Sequence, residues 1–301
     1  MVLRLPIELV EEIIKWLPLG KRYKISVSFR LMHIRNQCIP LMENTCMFMA
    51  SRKGQIGLLN WWRESGLECK WSSFAMDIAS IKGHVNVLQW WKESGLECKW
   101  SLYAMDRSSR NGHVDVLQWW KKSGLECKWS EEAMDRASRE GHINVLEWWK
   151  NSGLECKWSS VAMDHASGNG HVNVLEWWKI SGLQCKWSSV TMDSASIGGH
   201  VDVLEWWKNS GLECKWSAAM DWASIEGHIN VLEWWKQSGL QCEWSLYAMD
   251  WASKNGHVNS LQWWRNSGFE CKWSTAAMDL ATDKGHLDVL LWWKINKLEC
   301  K

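Results

Sequence analysis

Serine, histidine and aspartate recur together along the chain, and these residue types could serve a hydrolytic reaction. A hydroxyl would attack the substrate, an imidazole would accept its proton and a carboxylate would orient the imidazole. One such set consists of Asp77, Ser80 and His84. A catalytic constellation is normally one asymmetric site, whereas the histidine and the aspartate return in eight copies. We therefore expect no enzyme. The histidines should bond backbone or a neighbouring copy, and the aspartates should hydrogen-bond between copies.

The eleven cysteines could also carry chemistry, as disulfides or as metal ligands. Nine of them, from Cys69 to Cys300, occupy one position of a repeated segment. Equivalent sites in stacked helical units lie roughly 8–10 Å apart, beyond the roughly 7 Å limit for a disulfide. We therefore expect buried thiols in a reducing compartment, the cytoplasm or the nucleus. A zinc ladder needs four ligands where only two ligand types recur in each copy, so we expect no metal and no cofactor.

These residues belong to a segment of 29 residues that recurs through most of the chain. Its cleanest copy runs from Ser101 to Trp129, and a Trp-Trp pair marks each of nine copies. The pairs are 29 residues apart except for one step of 28, where WSAAMD from Trp216 is one residue shorter than WSSVTMD from Trp187. A fixed period of this size indicates a repeat array, in which units too small to bury their own core stack on one another.

Each copy predicts two helices joined by short links. In the copy that begins at Ser72, the first helix should run from about residue 73 to residue 82, with the Ser72 hydroxyl as a cap. The second helix should run from about residue 85 to residue 94. Its apolar residues cover a wide arc, so Trp91 should lie in the core and Trp90 should be partly exposed.

The motifs of each copy resemble those of the ankyrin repeat. Residues 75–80 (AMDIAS) stand where that family has Pro-Leu-His-x-Ala-Ala. Residues 83–88 (GHVNVL) resemble its Gly-His-x-x-Val-Val, and residues 94–98 (SGLEC) resemble its Ala-Gly-Ala-x-Val. The link that follows is four residues shorter than in the family, so the β-hairpin finger is missing. The resemblance implies an all-α fold, an α-solenoid of about nine ankyrin-like helix-turn-helix repeats in a domain of residues 47–301.

Residues 1–46 differ from the repeats and predict a helical segment of their own. Their apolar and proline residues stand at spacings that resemble the opening pattern of an F-box, namely Leu5, Pro6, Leu9, Ile13 and Leu17. F-boxes bind the Skp-family linker of cullin–RING ubiquitin ligases, so the resemblance implies that these residues dock such a linker. The alternative is a plain helical cap, since the terminal units of a repeat array need a distinct cover.

Differences between the copies indicate a binding surface. Four positions of the first helix, from that of Phe74 to that of Lys82, change from copy to copy and fall in one arc of the helix. Stacked along the array, they make one continuous face with an arginine end and an apolar end. We call its candidate partner-binding residues the variable face: Arg107, Arg110, Arg136, Arg139, His165, Trp222, Tyr247, Trp251 and Leu280.

An exposed row of arginines and aromatic residues is typical of protein-binding hot spots. With the F-box resemblance, it predicts an adaptor that recruits a substrate protein to an SCF-type ubiquitin ligase. The alternative is an ankyrin-like scaffold with no ligase link. A solvated surface is the simpler interpretation of single residues, because Arg136 stands one turn from Glu132 and from Glu140 on its own helix.

The bulk composition narrows the classes of partner. The formal net charge of +1 argues against a general electrostatic grip on nucleic acid. No run of 18 apolar residues occurs, so we expect no membrane span. The acidic residues near the N-terminus do not fit a secretory signal. Proteins or peptides are therefore the expected partners.

Overall fold

The computed structural model describes residues 46–65 and 71–297. The F-box-like residues predicted between positions 5 and 17 lie outside the described residues, and the domain boundary at residue 46 stays a prediction. Contacts divide the chain into two compact units, which we describe separately. The first unit comprises residues 46–65, 71–105 and 118–128, and the second comprises residues 106–117 and 129–297.

Every regular element in the described residues is an α-helix, and two helices make each repeat. The first helices are α1 (Cys46–Arg52), α3 (Phe74–Ile81), α5 (Tyr103–Arg110), α7 (Glu132–Arg139), α9 (Val161–Gly168), α11 (Thr191–Gly198), α13 (Ala219–Ile225), α15 (Tyr247–Lys254) and α17 (Ala276–Lys284). The second helices are α2 (Ile56–Glu64), α4 (Val85–Glu93), α6 (Val114–Lys122), α8 (Ile143–Asn151), α10 (Val172–Ile180), α12 (Val201–Asn209), α14 (Ile229–Gln237), α16 (Val258–Asn266) and α18 (Leu287–Asn296). The predicted all-α class is confirmed, with no strand among the described residues. No helix of the described segments is long and apolar enough to cross a membrane.

A glycine turn ends each first helix and positions the second. After α7, Gly141 adopts a positive φ of 79°, which glycine tolerates because it has no Cβ. The His142 amide then donates to the Ala137 carbonyl at 2.9 Å, and the Gly141 amide donates to Ser138 at 3.2 Å. These two bonds satisfy carbonyls at the helix end in a Schellman arrangement. A Cβ on Gly141 would also lie 3.0 Å from the His171 ring of the next repeat. Glycine is therefore required both by the positive φ and by the close approach of this ring.

Like helices pack against like helices. In the second unit the first helices α7 to α17 contact one another in chain order, and the second helices α8 to α18 do the same. The first helices carry residues that are identical in nearly every copy, such as Ala133, Met134 and Ala137, and all three are buried. Small residues allow this close approach, so the repeated residues act as the scaffold.

The two tryptophans of each Trp-Trp pair have different hydrogen-bond partners. Trp178, the second of its pair, is fully buried, and its Nε1 donates to Ser138 Oγ of the preceding repeat at 3.0 Å. Trp177, the first of the pair, donates from Nε1 to Glu147 Oε2 at 2.8 Å. The core position predicted for Trp91 is confirmed. The partial exposure predicted for Trp90 is wrong, because this ring is only 7% exposed, although the equivalent Trp119 and Trp206 are half-buried.

Seven cysteines of the repeats whose side chains the structure describes are free thiols, as the spacing predicts, but they are half-buried rather than buried. They are Cys98, Cys127, Cys156, Cys185, Cys214, Cys242 and Cys271. Each follows the exposed glycine turn at the end of a second helix, so one side of the thiol stays near solvent. The other side faces the helix, where the Cys185 thiol, for example, donates to the Trp178 carbonyl at 3.5 Å. Burial raises the pKa of all seven thiols.

Cys242 should react slowly with alkylating reagents. Burial raises the pKa of its thiol from 9.0 to about 11, so its thiolate at neutral pH is about a hundredfold scarcer than that of an ordinary thiol. Labelling with iodoacetamide, followed by mass spectrometry, should show a rate roughly a hundredfold below that of the same cysteine in the urea-unfolded chain. Equal rates in the folded and unfolded chains would contradict the expectation.

Candidate functional site

The recurring aspartate and serine form a clamp between neighbouring repeats. Asp135 Oδ1 accepts from the Ser159 amide at 2.9 Å, and Asp135 Oδ2 accepts from Ser159 Oγ at 2.5 Å. Ser159 Oγ in turn accepts from the Val161 amide at 3.2 Å, at the first turn of α9. The predicted role of the aspartates between repeats is confirmed. Ser72 likewise accepts from the Phe74 amide at 3.3 Å, as its predicted capping role requires.

The recurring histidine has a different partner. His84 Nε2 lies 3.1 Å from the Arg52 carbonyl oxygen, and His228 Nε2 lies 2.9 Å from the Ile197 carbonyl oxygen. In both cases the imidazole bonds the backbone of the preceding repeat, as predicted. In the two repeats of His84 and His228 the aspartate bonds a serine and the histidine bonds a carbonyl, so the three side chains there are not arranged as a catalytic relay. No group of three or more His, Cys, Asp or Glu side chains in the described residues could hold a metal ion.

All nine residues of the variable face belong to the second unit, and none of them is buried. Tyr247 is 57% exposed, and Trp222 and Trp251 are each 39% exposed. His165 is exposed, whereas Leu280 and the four arginines are half-buried. These nine changing residues of the first helices are therefore accessible, while recurring residues of the same helices, such as Ala133 and Met134, are buried.

The arginine end of this face is partly neutralised by its own carboxylates. Arg110 Nε donates to Glu140 Oε1 at 3.1 Å, and Arg136 pairs with Glu132 one turn earlier. The intrahelical pairing considered for Arg136 thus holds for Glu132, while Glu140 pairs with an arginine of the preceding repeat instead. Arg139 has no carboxylate within ion-pair distance in the part of the chain that the structure describes. Arg139 is therefore available to a partner's carboxylate.

His165 lies beside the arginine end and adds little positive charge. Partial burial lowers the pKa of its imidazole, and the nearby Arg139 guanidinium lowers it further, against the opposing effects of Asp164 and Asp135. The ring is accordingly neutral at pH 7. A neutral imidazole can donate one hydrogen bond and accept another, so His165 offers polar recognition rather than charge.

The apolar end of the variable face forms a cleft. Trp222, Tyr247 and Trp251 come together with three residues that complete its wall, and the cleft has a volume of about 320 Å³. We call it the aromatic cleft, and it is lined by Ala218, Asp221, Trp222, Ile225, Tyr247 and Trp251. The structure thus brings together three of the predicted residues, whereas Leu280 does not line this cleft.

The repeat with the one-residue deletion contributes a small residue, Ala218, to the lining of the cleft. Its first helix, α13, begins at Ala219, two residues before the recurring aspartate, as α11 does, and has seven residues. Ala218 stands where the neighbouring repeats hold Val190 and Tyr247, three residues before the recurring aspartate. Its amide donates to Asp193 Oδ1 at 3.2 Å, which holds the shortened link against the preceding repeat. A methyl group at this position leaves space that a larger side chain would fill.

Two residues of this region were missed by reasoning from the sequence. Ala218 lines the cleft, and the shortened loop was the signal that could have pointed to it. Lys254 holds its Nζ 3.8 Å from the centroid of the Trp251 ring, a cation–π contact. Lys254 occupies a changing position three residues after Trp251 on the same helix, and that spacing was the signal that could have pointed to the contact. Both belong in a description of the candidate site.

A match to a protein-family model supports the character of the repeats. Residues 75–119 and 220–263 match the family model described as ankyrin repeats (many copies). The crystal structure of the human ASB11 ankyrin repeat domain is 14% identical in sequence, with a TM-score of 0.47, over 62% of this chain and 96% of that chain. No curated protein matches the chain. The ankyrin resemblance of the motifs is thus confirmed over two stretches of the chain, and ankyrin repeats are protein-binding scaffolds.

Proposed function

We propose that the chain is a protein-binding adaptor. Its variable face binds a substrate protein, and its N-terminal residues dock a Skp-family linker and so bring that substrate to a cullin–RING ubiquitin ligase. The second candidate is a binding scaffold with the same variable face and no ligase link.

The contrast between recurring and changing positions carries the binding part of this proposal. Recurring side chains such as Ala166 and Met163 of α9 are buried and hold the repeats together. The changing side chains on the same helices are accessible and include a free arginine, Arg139, as well as Trp222 and Trp251. Arginine and tryptophan are the residue types that dominate protein interfaces, so this surface is suited to a protein or peptide.

The ligase part rests on the F-box resemblance of residues 5–30 in the sequence. Leu9 and Ile13 lie four residues apart, at the spacing of one helical face, and Pro6 suits the first turn of a helix. Such an apolar face is what a Skp-family linker would cover. The binding part and the ligase part can therefore fail separately, and they need separate variants.

The full chain should bind a purified Skp-family linker, and the substitutions Leu9→Glu and Ile13→Glu should each weaken that binding at least tenfold. A buried interfacial leucine or isoleucine replaced by a charge loses its apolar contact and leaves an unpaired charge. Affinity would be measured by surface plasmon resonance with the linker immobilised. Residues 47–301 alone should not bind.

A variant of the variable face supplies the control. Trp251→Ala should bind the linker as the full chain does, because its side chain lies on the repeats. No binding of the linker by the unaltered full chain would leave the scaffold as the function and reduce residues 1–46 to a cap.

A further inference from the structure

We propose that the aromatic cleft holds one large apolar side chain of a partner peptide, and that Lys254 binds a carboxylate next to that side chain. The occupant is thus a peptide segment in which an aromatic or long aliphatic residue adjoins Asp or Glu. This inference rests on the proposed function, because it names what the apolar end of the variable face recognises.

The width of the cleft fits one inserted side chain. Trp222 and Trp251 occupy the same position of consecutive first helices, α13 and α15, which pack against each other. Packed helix axes lie roughly 8–10 Å apart, and a group in van der Waals contact needs about 3.5–4.0 Å on each side. A single aromatic ring or aliphatic chain therefore contacts both walls. Tyr247 and Ile225 close the remaining sides with apolar surface.

The floor and neighbours of the cleft are held rigidly. Ser224 Oγ donates to the Ala248 carbonyl at 2.6 Å, and Asn255 Nδ2 donates to the Ile225 carbonyl at 3.0 Å. Both bonds join α13 to the next repeat, on which Tyr247 and Trp251 stand. A site that is formed before the partner arrives loses less entropy on binding, so a short peptide can be held.

The charges around the cleft select an acidic partner over a basic one. Asp221 is the one carboxylate that lines the cleft, and it is buried and already accepts from the Ser245 amide at 2.8 Å and Ser245 Oγ at 2.6 Å. Lys254 has no carboxylate within ion-pair distance in the described residues. Its ammonium lies over one face of Trp251, where it would repel a cationic ligand and attract a carboxylate. A methylated lysine, which aromatic cages accept, is therefore disfavoured.

The tryptophans confine this recognition to one place on the array, because only α13 and α15 carry tryptophan directly after the recurring aspartate. At the position of Ala218 the two flanking repeats have Val190, which is 45% exposed, and Tyr247. Restoring a large side chain there should block the cleft while leaving its three aromatic rings in place. This gives a test that does not depend on removing tryptophan, whose loss can disturb folding.

The full chain would be used to select peptides from a random linear library displayed on phage, and enriched peptides would be synthesised with a fluorophore. We expect them to share a large apolar residue beside Asp or Glu. Fluorescence anisotropy should show at least tenfold weaker binding to Trp222→Ala, to Trp251→Ala and to the blocked variant Ala218→Leu. Lys254→Glu should weaken the acidic peptides by about tenfold and favour versions with lysine in place of the acid.

Tyr103→Ala is the matched control, because Tyr103 stands at the position of Tyr247 in another repeat and is also exposed. It should leave affinity within about twofold, and circular dichroism should show unchanged helical content in every variant. Enriched peptides that carry lysine or arginine, or that bind Ala218→Leu as well as the unaltered chain, would overturn the proposal. So would the absence of any enrichment.

A further variant separates this proposal from the proposed function. If the enriched peptides lose affinity on Arg139→Glu but not on the cleft variants, the variable face binds partners and the aromatic cleft is not the anchor. If neither group of variants changes their affinity, both the cleft and the variable face fail as binding surfaces.

Discussion

Replacing Trp178 by alanine should lower the free energy of unfolding by about 3–5 kcal/mol, the usual cost of truncating a buried tryptophan. The ring is fully buried and packs edge-on against Trp177, with ring centroids 5.1 Å apart, and at a tilt on Trp158, at 5.6 Å. The substitution would empty this space and leave Ser138 Oγ without its donor. Because a repeat binds only its neighbours, the loss should appear first as opening of the adjacent repeats. Urea unfolding followed by circular dichroism measures the total effect, and amide hydrogen exchange measures its location.

Trp206→Ala is the control, because it removes an indole that is only half-buried. Trp206 is half-buried, and its Nε1 donates to Glu176 Oε2 at 2.8 Å near solvent. Its removal should cost about 2 kcal/mol less than the removal of Trp178, because folding buries less of the apolar surface of Trp206. Equal losses for the two variants would mean that burial of the Trp178 indole does not dominate the stability of the repeat.

Ser138→Ala should lower the free energy of unfolding by about 1–3 kcal/mol, the penalty for leaving the buried Trp178 indole N–H unpaired.

The repetition itself made much of this fold predictable. A residue that recurs in every copy must satisfy the same neighbour each time, so the core position of Trp91 and the clamp made by the aspartates followed from the pattern. Helix ends followed from glycine, since Gly141 occurs where a positive φ is needed. The packing of Trp90 did not follow, because a helical wheel shows one helix and Trp90 bonds to Asn60 of the preceding repeat.

The candidate site was predictable in its place and not in its detail. The changing positions pointed to Trp222, Tyr247 and Trp251, and the structure joins them in one cleft. Lys254 stands three residues after Trp251 on α15, and the spacing alone does not show that its ammonium lies over that ring. Ala218 was missed because its importance lies in contacts between repeats, which the period of the sequence does not show. The same reason explains why the pairing of Glu140 with an arginine of another repeat could not be read from one helix.

The clamp between repeats gives the second large effect: Asp135→Ala should lower the free energy of unfolding by about 2–3 kcal/mol. The Ser159 amide and hydroxyl both donate to this carboxylate, and each donor left unpaired in a buried site costs about 1–3 kcal/mol, less where water can reach it. Asp135→Asn should be far milder. Its amide oxygen can still accept from the Ser159 amide, and a neutral side chain avoids the cost of burying a charge.

The two substitutions should also differ in their dependence on pH. Burial raises the pKa of Asp135, despite the hydrogen bonds from Ser159 that lower it. The folded state therefore keeps the proton to a higher pH than the unfolded state, whose aspartate pKa is about 3.9. The contribution of this group to stability is fully present below the unfolded pKa and is lost as the pH rises through the folded pKa. Asp135→Asn removes this loss. The free energy of unfolding of Asp135→Asn, relative to that of the unaltered chain, should therefore increase as the pH is raised from about 4 to neutrality.

Urea unfolding at fixed ionic strength across that range would measure the difference, with Asp115→Asn as the matched control. Asp115 is exposed, and asparagine occupies the same position in the next repeat, as Asn144. The control should shift little with pH relative to the unaltered chain. If the unaltered chain instead gains stability over Asp135→Asn as the pH rises, the clamp stabilises the fold as an anion. Its hydrogen bonds would then outweigh the cost of burial, and the repeats would be joined by a charge.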